Sequence, residues 1–151
     1  MHMKEFTVPA AYAGKPECLA RLWVEKLDAL LDMDLPFKKI GIAHLVCYLI
    51  GGGDDVLYQN TLAALEDKEL RRIFGRICAA GAGVEINKGD FSFDHGAESD
   101  ILRIFRIAKE EGCKFYLGSD SHHPKGFEKS KDIFERAIKL LELHESDKFI
   151  I

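Results

Sequence analysis

The sequence predicts an α/β protein built on a parallel sheet of about four βα units. Short apolar runs bounded by turn residues alternate along the chain with stretches whose apolar residues recur at helical spacing. The runs are continuously apolar, as strands covered on both faces are, and regular strand-helix alternation is the signature of right-handed βαβ crossovers.

The elements follow in order. A first strand is expected around Lys4 to Val8. Leu19, Leu22, Trp23, Leu27, Leu30 and Leu31 then fall on one helical face, with Pro16 suited to the first turn and Asp34-Leu35-Pro36 ending the helix. Ile40 to His44 reads as a buried strand, and Gly51-Gly52-Gly53 breaks the chain after it. From about Val56 to Ala80 the pattern is helical, in two pieces interrupted near Glu66 or Asp67, with Gly81 as a C-cap. A strand Val84 to Asn87 leads into a helix that turns Ile101, Ile104, Phe105 and Ala108 inward and closes at Gly112. The strand Phe115 to Leu117 and a last helix, with Ile133, Phe134, Ala137, Ile138 and Leu141 on one face, complete the order.

No low-complexity segment divides residues 1–151, which are expected to form a single domain. The longest irregular stretch, Lys88 to Ser99, has the character of an active-site loop. Four βα units do not close a barrel, so the expectation is either a small open α/β domain or part of a barrel, with sheet edges that favour homo-oligomers.

Composition removes several function classes. The 21 basic and 25 acidic residues are dispersed, with a net charge of -4, so no basic stripe awaits nucleic-acid phosphates. No apolar run approaches the roughly 20 residues that span a bilayer, and Met1-His2-Met3-Lys4 does not open a signal peptide, so the expected location is the cytoplasm. Cys18, Cys47, Cys78 and Cys113 form no CxxC pair and read as reduced, mostly buried thiols.

Chemistry in such an architecture gathers at the C-terminal ends of parallel strands, where His44, Glu85 and Asp120 fall. In Gly118-Ser119-Asp120-Ser121-His122-His123-Pro124, Asp120 and His122 stand two positions apart at a strand exit. They offer a carboxylate oxygen and an imidazole nitrogen to a divalent metal, and His44 at a neighbouring strand end offers another. A turn with a capping aspartate is the structural alternative for the same residues.

Gly118-Ser119-Asp120-Ser121-His122 resembles the last motif of the PHP (polymerase and histidinol phosphatase) family, Ile42-Ala43-His44 an earlier one, and Glu85-Ile86-Asn87 the Glu-x-Asn strand between them. The likeness runs from Lys39 to about Leu143. It implies a metal-dependent phosphoesterase on a distorted seven-stranded βα barrel, binding up to three divalent ions (zinc, manganese or iron) and a small phosphorylated substrate. Carried over by position, Asp120 and His122 would be catalytic as well as ligands of the first and third metals. His44 would bind the second, with His2 as its partner. The family's opening His-x-His does not precede His44, so the expectation is a C-terminal portion whose other ligands lie upstream. Two alternatives stand beside this reading: a non-catalytic α/β binding module with a degenerate metal site, and an amidohydrolase-like metal hydrolase.

Other residues have plainer readings. Glu85 is either a positioning group behind a metal ligand or a rim carboxylate, and His123 belongs to an exposed turn. His95 and His144 read as surface residues, Lys125 and Arg103 as possible phosphate contacts, and Trp23 with the phenylalanines as core. The triple glycine lacks the Lys-Ser/Thr of a P-loop and reads as a flexible loop.

Overall fold

The computed structural model describes residues 8–93 and 96–150; the expected first strand, His2 and His95 lie outside the described residues, except for Val8. Helix α1 (Pro16–Leu31) precedes strand β1 (Gly41–Ile42), and helices α2 (Asp55–Ala63) and α3 (Asp67–Ala80) lead to β2 (Gly83–Asn87). Helix α4 (Glu98–Glu110), β3 (Lys114–Gly118) and α5 (Ser130–Leu140) follow. The three strands form one parallel sheet in the order β1-β2-β3, so the chain is α/β.

The two faces of the sheet differ in kind, because side chains alternate along each strand. Ile42, Val84, Ile86 and Phe115 join the core together with Leu70, Ile73, Phe74 and Ile77 of α3 and Ile101, Ile104, Phe105 and Ala108 of α4. Helices α3 and α4 pack side by side, and α1 packs on α2 and α3. The opposite face carries Gly41, Gly83, Glu85, Asn87, Tyr116 and Gly118. A Cβ on Gly41 would lie 2.4 Å from the Tyr116 ring and one on Gly118 1.7 Å from Glu85 Oε1, so these glycines make room for larger neighbours on adjacent strands.

Local signals explain the boundaries. Pro16 sits in the first turn of α1. Asp54 Oδ1 accepts the Leu57 N–H at 2.9 Å and starts α2, and Gly81, at φ 80°, ends α3 in the left-handed conformation. The expected break between the two helical pieces falls at 64–66. Strand β1 is shorter than the apolar run Ile40 to His44, because the chain turns left-handed at His44 (φ 55°).

The last residues hold a feature absent from the sequence expectations. Lys148 bridges in parallel to Phe115, the Phe149 N–H donates to the Phe115 carbonyl at 2.7 Å, and so this segment occupies part of the free edge of β3. The Phe149 ring lies 6.2 Å from that of Tyr116 and covers Gly83, where a Cβ would meet it at 2.5 Å. On the last helix Ala137 and Leu141 are buried, while Ile138 is exposed, since α5 is covered along one narrow stripe only. His144 follows α5 and is exposed at the start of the turn Glu145–Asp147, not inside the helix.

Ion pairs staple the helices from outside. Asp28 of α1 accepts from Arg72, and also from Arg76 of α3. The Arg72 guanidinium is the largest influence holding the Asp28 carboxyl below its usual range. Cys113 is buried and Cys18, Cys47 and Cys78 half-buried; burial pushes the Cys113 thiol up to about 12. Among the described residues no helix is long and apolar enough to cross a membrane.

Candidate functional site

The site is built at the C-terminal ends of the three strands. The loop after β1 is held from three sides: the buried Trp23 indole N–H donates to the Leu45 carbonyl at 2.7 Å, and the Tyr58 hydroxyl donates to the Val46 carbonyl at 2.8 Å. From β2, Glu85 Oε2 accepts the His44 backbone N–H at 2.8 Å. A buried carboxylate that accepts a backbone N–H retains the bond by withholding water from it, so the position of His44 is set by the sheet.

Asp120 and His44 meet across the strand ends, with His44 Nε2 3.7 Å from Asp120 Oδ1. His122 Nε2 lies 3.4 Å from the same oxygen. Asp120 thus stands between two imidazoles, one half-buried and one exposed. Both His44 and Asp120 are left-handed, at φ 55° and 48°, a conformation that His and Asp tolerate better than most residues. Glu85 also accepts from Asn87 Nδ2 at 3.2 Å, and Asn87 Oδ1 accepts the Gly89 N–H at 2.8 Å. Glu85, which accepts from the His44 N–H and Asn87 Nδ2, is 7% exposed and so is buried within the sheet face.

Beside these residues lies a cavity of about 350 Å³, bounded by His44 and Asp120 on one side and by Tyr48, Tyr58, Asn87 and Asp90 on the other. Asp90 escaped the sequence reading. It is 8% exposed, its Oδ2 has no hydrogen-bond partner among the described residues, and burial, with the charges of Glu85 and Asp120 adding, pushes its carboxyl up to about 7. The signal available in the sequence was its place three residues beyond the strand-ending Asn87, between glycine and phenylalanine.

The remaining candidates fall elsewhere. His123 is exposed at the turn Pro124–Phe127, whose Gly126 carbonyl accepts from Lys88 Nζ at 2.5 Å. Arg103 donates to the Leu62 and Leu65 carbonyls at 2.9 Å each and pairs with Asp67 and Asp100, so it closes the end of α2 and is not directed at the site. Lys125 is exposed and Trp23 is core. Gly51 packs against Tyr58, with room for no Cβ, while Gly52 and Gly53 adopt positive φ in an open turn.

Compared with protein-family models, with curated proteins and with solved structures, the chain matches none. What the arrangement can do is therefore argued from its chemistry. Two ligands bound at about 2.0–2.1 Å in a tetrahedral site stand roughly 3.3 Å apart. The Asp120–His122 separation of 3.4 Å and the Asp120–His44 separation of 3.7 Å both fit sharing of an ion with little adjustment. Among the described residues, however, no three His, Cys, Asp or Glu side chains form a ready cage for one.

Proposed function

We propose that this chain belongs to a metal-dependent phosphoesterase of the PHP type, with Asp120, His44 and His122 as metal ligands. The observation that carries the reading is the Asp120 carboxylate standing 3.7 Å from His44 and 3.4 Å from His122 at the carboxyl ends of parallel strands. Strands that follow one another in sequence order, with α3 and α4 side by side on one face, support a barrel-type winding for the same chain. Asp120 would hold an ion through Oδ1, and Glu85 would keep the His44 imidazole facing it by anchoring its backbone. A bound divalent ion (zinc, manganese or iron) would supply polarisation of a phosphoryl oxygen and acidification of water. The substrate class is a small phosphorylated molecule.

Each catalytic metal wants about three protein ligands with an open position, so the described residues supply too few for a clustered site of up to three ions. The further ligands would come from outside them, His2 among the candidates. The same shortage favours a second reading, an α/β binding module with a degenerate metal site and no catalysis. Titrating manganese and zinc into the parent chain and Asp120→Asn, and assaying both on p-nitrophenyl phosphate, tests the two readings. The expected outcome is weak metal binding and slow hydrolysis in the parent, with both reduced about tenfold or more by Asp120→Asn and with folding stability unchanged. Equal metal affinity in the two proteins overturns the assignment. Metal binding that is lost in Asp120→Asn but accompanied by no hydrolysis favours the binding module.

A further inference from the structure

We infer that Cys78 and Cys113 form a redox couple, which closes to a disulfide when a peroxide reaches Cys78. The two residues stand at one joint of the fold, where α3 ends and β3 begins. Gly112, at φ 85°, turns the chain between α4 and β3 against the Cys78 side chain, so that a Cβ there would lie 3.3 Å from Cys78 Sγ. Cys113 is the next residue, and its Sγ donates to the Phe74 carbonyl at 3.4 Å, one helical turn before Cys78 on the same face of α3. The backbone of Cys78 is itself a hydrogen-bonding neighbour of the Cys113 thiol. Each thiol therefore lies against the other's stretch of backbone, and a short approach of this kind is what a disulfide requires.

The two sulfurs differ in a way that assigns them roles. Cys78 is half-buried and Cys113 buried. An oxidant in solution reaches the first, while burial, which pushes the Cys113 thiol up to about 12, keeps the second un-ionised and out of direct oxidation. Cys78 Sγ attacks one peroxide oxygen: an S–O bond forms, the O–O bond breaks, and the thiol proton leaves with the released hydroxide as water. Cys113 Sγ then attacks the sulfenic sulfur. The S–S bond forms, the S–O bond breaks, and the Cys113 proton leaves with that hydroxide as a second water. Two thiols are oxidised and one peroxide is reduced, with no other reactant.

The bond closes a loop of about 35 residues that contains β2 and α4, and so removes freedom from the unfolded chain. It joins the last turn of α3 to the N-terminal end of β3, at the opposite end of that strand from Asp120. Closure therefore acts on stability and leaves the strand-end site in place. The inference needs neither a metal nor hydrolysis, and it stands apart from the phosphoesterase reading.

Its test treats the full, reduced chain with hydrogen peroxide, alkylates it with iodoacetamide under denaturing conditions and maps the peptides by mass spectrometry without reductant. A cross-linked Cys78–Cys113 peptide is expected, with the two thiols lost in step and both recovered by dithiothreitol. The urea midpoint should rise by about 1–3 M when the parent is oxidised and stay in place when Cys78→Ser is treated alike. Cys113→Ala, which removes only the resolving sulfur, should accumulate a sulfenic acid at Cys78 that dimedone traps. Cys78→Ser, at the half-buried position, serves should Cys113→Ala fail to fold, and its Cys113 should stay alkylatable after peroxide. Cys78 and Cys113 both still alkylatable in the treated parent, a sulfinic acid at Cys78 there, or a cross-link that pairs either with another cysteine overturns the assignment.

Discussion

The Glu85 carboxylate accepts the backbone N–H of His44 at 2.8 Å, across 41 residues of chain and from one strand to the next. This bond joins the middle of β2 to the turn that presents the imidazole, so sheet stability and site geometry depend on the same side chain. Glu85→Ala leaves the His44 N–H and the Asn87 amide without their acceptor. It should cost about 2 kcal/mol in urea unfolding and shift the His44 amide resonance, whereas Glu85→Gln, which keeps one acceptor oxygen, should cost less.

Gly118 tests the same contact from the other side. A Cβ there would fall 1.7 Å from Glu85 Oε1, a buried atom that cannot withdraw without releasing His44 or Asn87. Gly118→Ala should therefore destabilise the chain by roughly 1–3 kcal/mol and move the His44 amide as Glu85→Ala does. Gly75, inside α3, is the control. Its Cβ would meet only Glu111 Oε2, at 3.8 Å, and Gly75→Ala should stabilise the chain by about 0.5–1 kcal/mol.

Asp90 should make stability fall with rising pH. Its carboxyl is pushed up to about 7 in the folded chain, chiefly by burial. In the unfolded chain it titrates near 3.9, so between those values the folded state keeps a proton that the unfolded state releases, and stability declines until about pH 7 and then levels. Asp90→Asn should match the parent near pH 4 and exceed it at pH 8 by something on the order of 2–4 kcal/mol, read from urea melts at the two pH values. A parent and variant that differ equally at both would show that Asp90 ionises normally when folded.

Arg103 should act on stability alone. It donates to the Leu62 and Leu65 carbonyls, where α2 ends, and pairs with Asp67 and Asp100. Arg103→Ala should lower stability by about 1–2 kcal/mol through loss of its bonds to the Leu65 carbonyl and to the Leu62 carbonyl, which keeps the Leu65 N–H, and leave any response to added phosphate unchanged. Weakened phosphate binding in that variant would return Arg103 to the site.

The class of the fold was written in the chain itself, because hydrophobic periodicity and turn residues are local properties that act within a few positions of sequence. Ile101, Ile104, Phe105 and Ala108 show their inward face without knowledge of any partner, and Gly81 and Gly112 mark helix ends by backbone freedom alone. The location of His44 and Asp120 just past strand ends follows from the same alternation, whereas Glu85, expected at a strand end, stands in the middle of β2. What only the tertiary structure decided is which groups share surroundings. Asp90 reads in sequence as an ordinary loop aspartate; it becomes a buried, unpartnered carboxyl because Tyr58, from a helix more than thirty residues away, walls the same cavity. The glycines of the sheet face opposite α3 and α4 likewise have no signal of their own, since each is small to suit a neighbour on another strand or segment, Tyr116 for Gly41, Phe149 for Gly83 and Glu85 for Gly118. Burial and close approach are sums over distant parts of the chain, and a sequence read residue by residue carries the terms of those sums without their total.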